Sequence, residues 1–297
     1  MTINSPEELA QLENGNRFLG TPPEMKSSAI RFNGRNNVLY CEEGVVLDHC
    51  SITFHSDNSL VVLGKSSRDY KIGLAIHNDS VCFFGRDCNF IDRLTVVTSE
   101  RKHFFAGNDA LFSRGIWARN ADPHLIYDCE TKLRANPSKS VFLGDHVWIG
   151  QGAMLLKGTE IDSGSIVGGM SLVSGKKIPH NTAWAGNPAK QVREGIFWDG
   201  ACVHFWAEDM TELSQNYRKY AVLQKDSKPD AYIYSYNASE CRSFAEIDAL
   251  FDTAPMDEKL TFAKKLLDED AKNRFVHEAQ EQKKPSAGRS LFGKKRS

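Results

Sequence analysis

The sequence of 297 residues lacks a long apolar run and carries almost no net charge. Its 37 Lys and Arg residues are balanced by 38 Asp and Glu residues, which does not indicate a nucleic-acid partner. No stretch of about 18 consecutive apolar residues occurs, so no membrane span is expected. The N-terminus, MTINSPEELAQ, has neither a basic start nor an apolar core, so we expect no signal peptide. Together these absences predict a cytoplasmic protein.

Signatures of covalent and disulfide chemistry are also missing. The seven cysteines include no Cys-x-x-Cys pair, and without an export signal they are expected to be reduced thiols. The sequence has no Gly-x-Ser-x-Gly elbow and no catalytic-cysteine signature. Nucleophilic catalysis through a covalent enzyme intermediate is therefore not indicated.

The sequence does contain a gapless six-residue repeat over residues 141–176, VFLGDH-VWIGQG-AMLLKG-TEIDSG-SIVGGM-SLVSGK. A period of six fits neither the 3.6-residue period of a helix nor the two-residue period of a strand. It indicates short strands joined by sharp corners, with three hexads to a triangular coil and an aliphatic column buried along the axis. The third position of each hexad supplies that column: Leu143, Ile149, Leu155, Ile161, Val167 and Val173. The repeat predicts a β-helix rather than an amphipathic helix or a hairpin.

The rest of the chain is predicted to divide around this repeat. Residues 1–29 should form an N-terminal cap and loop, and looser, bulkier repeats extend the β-helix over residues 30–194. The period fails between Ala118 and Ser140, which indicates a loop that leaves the β-helix. Residues 195–280 have the apolar spacing of a mostly helical extension. The basic segment 281–297 has little apolar content and is predicted to be disordered.

The repeat, the segment VWIG at 147–150 and the segment AGNPAKQVR at 185–193 resemble the hexapeptide-repeat acyltransferases. The order of an Asp-x-His loop, a VWIG coil, a glycine-rich coil and a GNPAK exit is most similar to the O-acetyltransferases of sugars and capsular polysaccharides. This resemblance covers about residues 30–194. It implies an all-β solenoid, the left-handed parallel β-helix, assembled as a homotrimer with sites between subunits. It also implies acetyl-CoA as co-substrate, a carbohydrate hydroxyl as acceptor, and no metal.

The resemblance further implies roles for single residues. His124, in the aperiodic loop, matches the family's general base, which takes the proton of the acceptor hydroxyl as it attacks the thioester directly. Asp122 or a backbone carbonyl could orient its ring. Trp148 occupies the second hexad position, so its side chain is expected to point outward from the prism. It matches a residue of the acceptor or acyl site, with trimer packing as the alternative. The matching cofactor positions are Gln151, Gly169 and Ser174 along the pantetheine arm, and Lys190 and Arg193 near the phosphates. A further basic position matches either Lys176 or Lys177, because the basic residue is shifted by one relative to the family pattern.

Two other functions fit parts of the sequence. His49, His55 and His77 could bind zinc as in the γ-type carbonic anhydrases, which share the left-handed β-helix and hold metal with three histidines at a trimer interface. These histidines fall in irregular coils, and this alternative leaves His124 and Trp148 unexplained. The chain could instead be a non-catalytic β-helix scaffold whose extension binds partners. Its basic tail could dock on a membrane surface or an acidic polysaccharide.

Overall fold

The computed structural model describes residues 1–221, 241–269 and 272–277. Its main body is a triangular prism of three sheets, because the chain adds one short strand to each sheet in every regular coil. Partners in the regular coils are 18 residues apart, as Asp145 and Ser163 are. In the early coils they are 21 or 22 residues apart, as the pairs Asn16–Asn37 and Asn37–Ser59 show. The extra residues explain why the six-residue period is obscured before residue 141.

The first sheet contains β1 (Thr2–Ile3), β4 (Ala29–Phe32), β7 (Ser51–Phe54), β9 (Ile72–Ile76), β12 (Leu94–Thr98), β15 (Trp117–Arg119), β18 (Met154–Leu156) and β21 (Leu172–Val173). The second sheet contains β2 (Arg17–Gly20), β5 (Val38–Cys41), β8 (Leu60–Leu63), β10 (Val81–Phe84), β13 (Phe104–Ala106), β16 (Val141–Leu143), β19 (Glu160–Ile161) and β22 (Lys177–Ile178). The third sheet contains β11 (Asn89–Phe90), β14 (Leu111–Phe112), β17 (Trp148–Ile149), β20 (Ile166–Val167), β23 (Thr182–Ala185) and β24 (Lys190–Glu194). A separate pair joins β3 (Glu24–Lys26) to β6 (Val46–Asp48).

Strand pairing begins before the predicted boundary at residue 30. Strand β2 pairs in parallel with β5, with Arg17 opposite Val38, and β1 pairs antiparallel with β4. The predicted cap contributes a short 3-10 helix, Pro6–Gln11. At the other end, β24 turns back antiparallel to β23 and closes the third sheet. The N-terminal segment therefore belongs to the prism, because its apolar residues pair with the first bulky coils.

The aliphatic column of the repeat is the core of the prism. All six third-position side chains are fully buried in one cluster that runs the length of the β-helix: Leu143, Ile149, Leu155, Ile161, Val167 and Val173. At the corners, left-handed backbone occurs at polar residues, with φ of 56° at both Asn58 and Asp79. The seven cysteines are free thiols, as predicted.

Among its described residues the extension contains helices α1 (Glu208–Ser214), α2 (Tyr217–Ala221), α3 (Phe244–Thr253) and α4 (Met256–Asp268), together with a 3-10 turn, Val203–Phe205, and the parallel pair β25 (Arg242–Ser243) and β26 (Phe275–Val276). Helix α3 begins with a capping box between Ser243 and Glu246. No helix within the described ranges has the length and apolar character to cross a membrane. The basic segment 281–297 lies outside the described residues.

Helices α3 and α4 cover the outer face of the second sheet. Outward side chains of that sheet, among them Phe83, Phe105 and Phe142, form a second apolar cluster with Phe244 and Phe251 of α3. Burial of several aromatic side chains stabilises this docking by about 1.5–3 kcal/mol for each side chain. One face of the prism is thus occupied by the chain's own extension.

Candidate functional site

Three edges of the prism position the candidate residues. The loop edge joins the first and second sheets, and along it Gly175 N donates to Lys157 O at 3.1 Å. The clamp edge joins the second and third sheets, and there Gly164 N donates to Asp145 O at 2.9 Å. The open edge joins the third and first sheets and contains Gln151.

His124 lies on the loop edge, in the aperiodic segment between β15 and β16. Its side chain is exposed, and its backbone carbonyl accepts a hydrogen bond from Asn136 Nδ2 at 2.8 Å. The amide of Asn136 is buried and also accepts from Ile126 N at 2.9 Å. Arg134 forms two parallel bonds of 2.9 Å to Glu100, which anchor the far side of the loop. A fixed loop therefore presents a solvent-accessible imidazole.

Asp122 anchors this loop instead of orienting the His124 ring. Its carboxylate accepts from Lys157 Nζ at 2.5 Å and from Asn136 Nδ2 at 3.0 Å. The hydrogen bond from Lys157, and then that from Asn136, lowers the pKa of Asp122 below its usual value. The carboxylate thus ties the loop to the next coil, and the hypothesis that it holds the ring does not match these contacts.

Trp148 lies on the outer face of the third sheet, as its hexad position predicts. It stands between Leu111 and Ile166 in the strand register, and 36% of it is exposed. Its indole Nε1 donates to Ser113 Oγ at 3.2 Å. The following Gly150 has no room for a side chain, because a Cβ there would lie 2.5 Å from Gly169 N of the next coil. The close stacking that sets the Trp148 ring therefore requires glycine at this point.

His124 and Trp148 lie on opposite sides of one prism. The loop edge is the corner between the first and second sheets, whereas Trp148 stands on the third sheet, which is the face opposite that corner. The two predicted catalytic residues are therefore not brought together within a single chain.

The predicted cofactor residues divide in the same way. On the open edge beside Trp148, Gln151 O accepts from Met170 N at 2.7 Å, and a Cβ on Gly169 would lie 3.2 Å from that same oxygen. Ser174 lies instead on the loop edge, next to the Gly175 that bonds Lys157. The tight approach at Gly169 is made by the chain's own backbone.

The four basic candidates lie at the C-terminal end of the prism. Lys176 is exposed on the loop edge. Lys177 belongs to β22, and its Nζ lies 3.8 Å from Glu160 Oε2. Lys190 and Arg193 are exposed on β24. The position of Lys177 on the second sheet makes Lys176 the better match to a phosphate-binding residue on an edge.

A cleft of about 510 Å³ opens beside Trp148. One side is the outer face of the third sheet with Asn89, Leu111 and Arg114, and the other side is the segment Trp198–His204 of the extension. Sequence reasoning missed this second wall, although the cluster of aromatic residues at 197–206 was a signal that the segment packs against something.

Trp198 fixes the wall to the clamp edge. Its ring stacks on His146 at a centroid distance of 3.9 Å with an interplanar angle of 3°. Its Nε1 donates to His146 O at 3.0 Å, while His146 Nδ1 lies 2.7 Å from Asp109 Oδ2. The corner histidine therefore supports the position of the wall through these contacts. The centroid of the Trp198 ring lies 6.0 Å from that of Trp148.

Comparison with known proteins agrees with this architecture. No family model matches the chain. A polysialic acid O-acetyltransferase of Neisseria meningitidis is 27% identical over 218 residues, which are 73% of this chain and 91% of the relative. A polysialic acid O-acetyltransferase of Escherichia coli O1:K1 is 32% identical over 102 residues, but the match spans only 33% of that relative. The crystal structure of the polysialic-acid-specific acetyltransferase NeuO matches with a TM-score of 0.59 and 29% identity, covering 72% of this chain and 95% of that one. These similarities support the predicted resemblance to the hexapeptide-repeat acyltransferases.

The predicted left-handed parallel β-helix and the predicted acyltransferase class are thereby confirmed. The roles of the individual site residues stay predictions.

Histidines of this acyltransferase do not gather as the zinc alternative requires. His55 stacks on His77 with a centroid distance of 4.9 Å, but His49 precedes strand β7 whereas His55 follows it, and His49 Nδ1 lies 2.6 Å from Asp48 Oδ1. The alternative that these three residues form one metal site is therefore not supported by their positions in the chain.

Within the described part of the chain, one group of three residues has the spacing of metal ligands: His103, Asp248 and Asp252. The Lys102 ammonium binds Asp252 and lies 3.8 Å from Asp248, so a cation is already in place. His103 Nδ1 accepts from Val81 N at 3.1 Å, which leaves only Nε2 for another partner. The chemistry of this group fits an ion-pair cluster that fastens α3 to the prism.

Proposed function

We propose that the protein is an O-acetyltransferase that transfers the acetyl group of acetyl-CoA to a carbohydrate hydroxyl of a bacterial capsular or other surface polysaccharide. The observation that carries this proposal is that one acyltransferase scaffold presents both an exposed imidazole on a fixed loop, His124, and an outward indole, Trp148. The names of the relatives, two polysialic acid O-acetyltransferases, support a polysaccharide acceptor. Since acetyl-CoA is a metabolite of the cell interior, we expect the protein in the cytoplasm.

The proposed reaction is a direct transfer without an acyl-enzyme. The acceptor oxygen attacks the thioester carbonyl carbon as the imidazole of His124 removes its proton, because an alcohol is a poor nucleophile until a base assists it. Backbone amides of the loop or coil stabilise the tetrahedral oxyanion. The carbon–sulfur bond then breaks, and the thiolate of CoA takes from His124 the proton that came from the acceptor hydroxyl. The products are the O-acetyl ester and free CoA.

We propose that the active unit is a homotrimer with each site between two subunits. Since His124 and Trp148 lie on opposite sides of one prism, the loop edge of one subunit would have to meet the third sheet of the next. The loop also exposes apolar side chains that call for a partner surface, each more than half exposed: Leu125, Ile126, Tyr127 and Leu133. Cyclic assembly with a head-to-tail interface would repeat this contact three times.

In that arrangement acetyl-CoA would lie between neighbouring prisms. Gln151 and Gly169 of one subunit would line the pantetheine arm beside Trp148, and Ser174 with Lys176 of the neighbour would face it from the loop edge. Lys190 and Arg193, exposed on β24, would bring positive charge to the phosphates. Lys177 is a weaker candidate because Glu160 lies beside it.

Thiol release from acetyl-CoA in the presence of polysialic acid tests this function. We expect His124→Ala to lower turnover about 10²- to 10⁴-fold, the usual contribution of a general base, with an unchanged circular dichroism spectrum. His49→Asn is the matched control, since His49 is exposed in a distant coil with φ of 53°, which asparagine tolerates. Full transfer by His124→Ala would overturn the mechanism. Bound zinc with CO₂ hydration would favour the carbonic-anhydrase alternative, and CoA binding without transfer to any acceptor would favour the scaffold.

A further inference from the structure

The ring of His124 has no side-chain partner of its own among the described residues. Its imidazole is exposed, and no residue that the structure describes forms a hydrogen bond with either ring nitrogen. Its backbone carbonyl, in contrast, accepts from Asn136 Nδ2 at 2.8 Å. The position of the ring relative to the prism therefore depends on how firmly the loop backbone is held.

Asn136 holds this backbone on both sides of His124. Its side chain is buried, with 5% exposed, and Nδ2 also donates to the Asp122 carboxylate at 3.0 Å. Its Oδ1 accepts from Ile126 N at 2.9 Å, and the neighbouring Ala135 N donates to Ile126 O at 2.8 Å. One amide thus fixes residues 122, 124 and 126, and a side chain that lacks either a donor or an acceptor cannot make the same set of bonds.

An earlier coil holds Asn136 in turn. Arg134 Nη2 donates to Asn136 O at 3.2 Å, and Arg134 Nε donates to Asn136 Oδ1 at 3.3 Å. The same guanidinium makes the two bonds of 2.9 Å to Glu100, whose carboxylate also accepts from Ser138 Oγ. A guanidinium can make these bonds together because its donors are fixed in one plane. Glu100, Arg134 and Asn136 therefore form a relay from the prism to the loop.

The turn that carries Glu100 has an unfavourable backbone. Glu100 and Arg101 are consecutive and both left-handed, with φ of 55° and 61°. For residues other than glycine, asparagine and aspartate this conformation costs about 1–2 kcal/mol each. Such strain persists only where the surrounding structure enforces it, and it concentrates at functional sites. The contact that this turn secures is the one to Arg134, since the Glu100 carboxylate is 43% exposed and lies outside the core.

We propose that Asn136 is the positioning residue of His124, and that the relay Glu100–Arg134–Asn136 sets the rate of transfer by holding the loop. The inference rests on the proposed acetyl transfer and adds to it residues that touch neither acceptor nor cofactor. A misplacement of about 1 Å can lower a rate about 100-fold. Loosening the loop should therefore reduce kcat and leave the KM for acetyl-CoA and for the acceptor unchanged.

Asn136→Leu removes both the donor and the acceptor. In the thiol-release assay with polysialic acid we expect kcat to fall about 10²-fold with both KM values unchanged. Asn16→Leu is the matched control. Asn16 is 8% exposed, and at the N-terminal end of the prism it donates to Glu13 O and Gly34 O and accepts from Asn37 N. Both variants should lose stability in urea, but only Asn136→Leu should lose turnover, and an equal kcat in the two would overturn the inference.

Asn136→Asp gives a readout that a purely structural role would not move. An ionised carboxylate there still accepts from Ile126 N, but it cannot donate to His124 O and it repels Asp122. A protonated carboxyl regains one donor, and burial beside Asp122 raises the pKa at which it forms. The ratio of variant to wild-type kcat, in which the titration of His124 cancels, should rise as the pH falls through that pKa. A ratio that does not change with pH would contradict the assignment.

Arg134→Lys tests the relay, because lysine keeps the charge and loses the planar set of donors. It should lower kcat several-fold in the wild-type background. It should have little further effect in Asn136→Leu, since Arg134 reaches His124 only through Asn136. Effects that multiply in the double variant would refute the relay.

The positioning role and the proposed function can fail separately. Hydrogen exchange of the Ile126 amide should be faster in Asn136→Leu than in wild type and unchanged in Asn16→Leu, whatever the acceptor. This result without any acetyl transfer would support the hold on the loop while refuting the proposed function. An inactive His124→Ala together with wild-type kcat in Asn136→Leu would refute the positioning role alone.

Discussion

Mixing two inactive variants should restore activity if each site is shared between subunits. A His124→Ala chain keeps the third sheet with Trp148 but lacks the base. A Trp148→Glu chain keeps the loop with His124 but places a carboxylate where the acetyl group and oxyanion are expected. Each homotrimer should be nearly inactive. A mixed trimer brings an intact loop of one chain against an intact third sheet of the other.

The expected recovery follows from the geometry. In a cyclic trimer each of the three sites takes its loop from one subunit and its sheet from the next. With equal amounts and random assembly, the loop donor has His124 half of the time and the sheet donor has Trp148 half of the time. About one quarter of all sites are then complete, so the mixture should reach about 25% of wild-type turnover. The His124→Ala homotrimer alone should give at most about 1%.

Co-expression of the two chains with different affinity tags, followed by purification through both tags, supplies the mixed trimers for the thiol-release assay. Because this purification removes both homotrimers and each mixed trimer has one complete site, the purified protein should reach about one third of wild-type turnover. Chains mixed after folding serve as the control for slow exchange. Mixed trimers that stay as inactive as the parents would show that His124 and Trp148 act within one chain. Since the loop edge and the third sheet are opposite each other in the prism, that result would refute the shared site.

The ion pairs that hold the extension give two further predictions. Arg274→Met leaves the fully buried Asp145 carboxylate without its guanidinium partner. It should lower the free energy of unfolding, measured in urea, by about 3–5 kcal/mol. The double variant Arg274→Met/Asp145→Asn should recover most of this loss, and an equal loss in the single and the double variant would contradict the role of the buried ion pair. Partial burial by itself raises the pKa of Asp252. Hydrogen bonds from His103 and Lys102 stabilise the charged carboxylate more strongly and lower this pKa to about 2. Because the folded pKa is depressed, this stabilisation is present above the unfolded pKa of about 3.9 and should fade as the pH falls toward 2. The slope of unfolding free energy against pH should be smaller in Asp252→Asn, and an identical slope would argue against the pair.

The six-residue period was sufficient to predict the regular coils and their core. Third-position side chains such as Leu155 must point inward once three hexads close a coil, and second-position side chains such as Trp148 must point outward, so the outward indole followed from the same spacing. The failure of the period before Ser140 likewise predicted the loop of His124. Local spacing fixes these features because each coil contacts only its neighbours.

Contacts between distant segments could not be predicted in this way. Phe142 occupies an outward position, yet it is buried because α3 and α4 cover it. His146 and Trp198 are 52 residues apart, and no periodicity joins them. The predicted start of the β-helix at residue 30 was also too late in the chain. Insertions around Asn37 and Ser59 lengthen the early coils to 21 or 22 residues and obscure the six-residue period there.

The docked extension restricts how the prisms can assemble. A neighbour could use the second sheet only if α3 and α4 left it, which would expose Phe105 and break the buried bond of Arg274 to Asp145. The first sheet carries no such cover among the described residues, and on it Trp117 and Met154 are adjacent in register and partly exposed. The third sheet is faced by the segment Trp198–His204 across the cleft. In the proposed trimer a neighbouring subunit would therefore approach at the open edge, between these two sheets. That is the edge beside Trp148, so the extension that walls the cleft would also direct the neighbour's loop toward it.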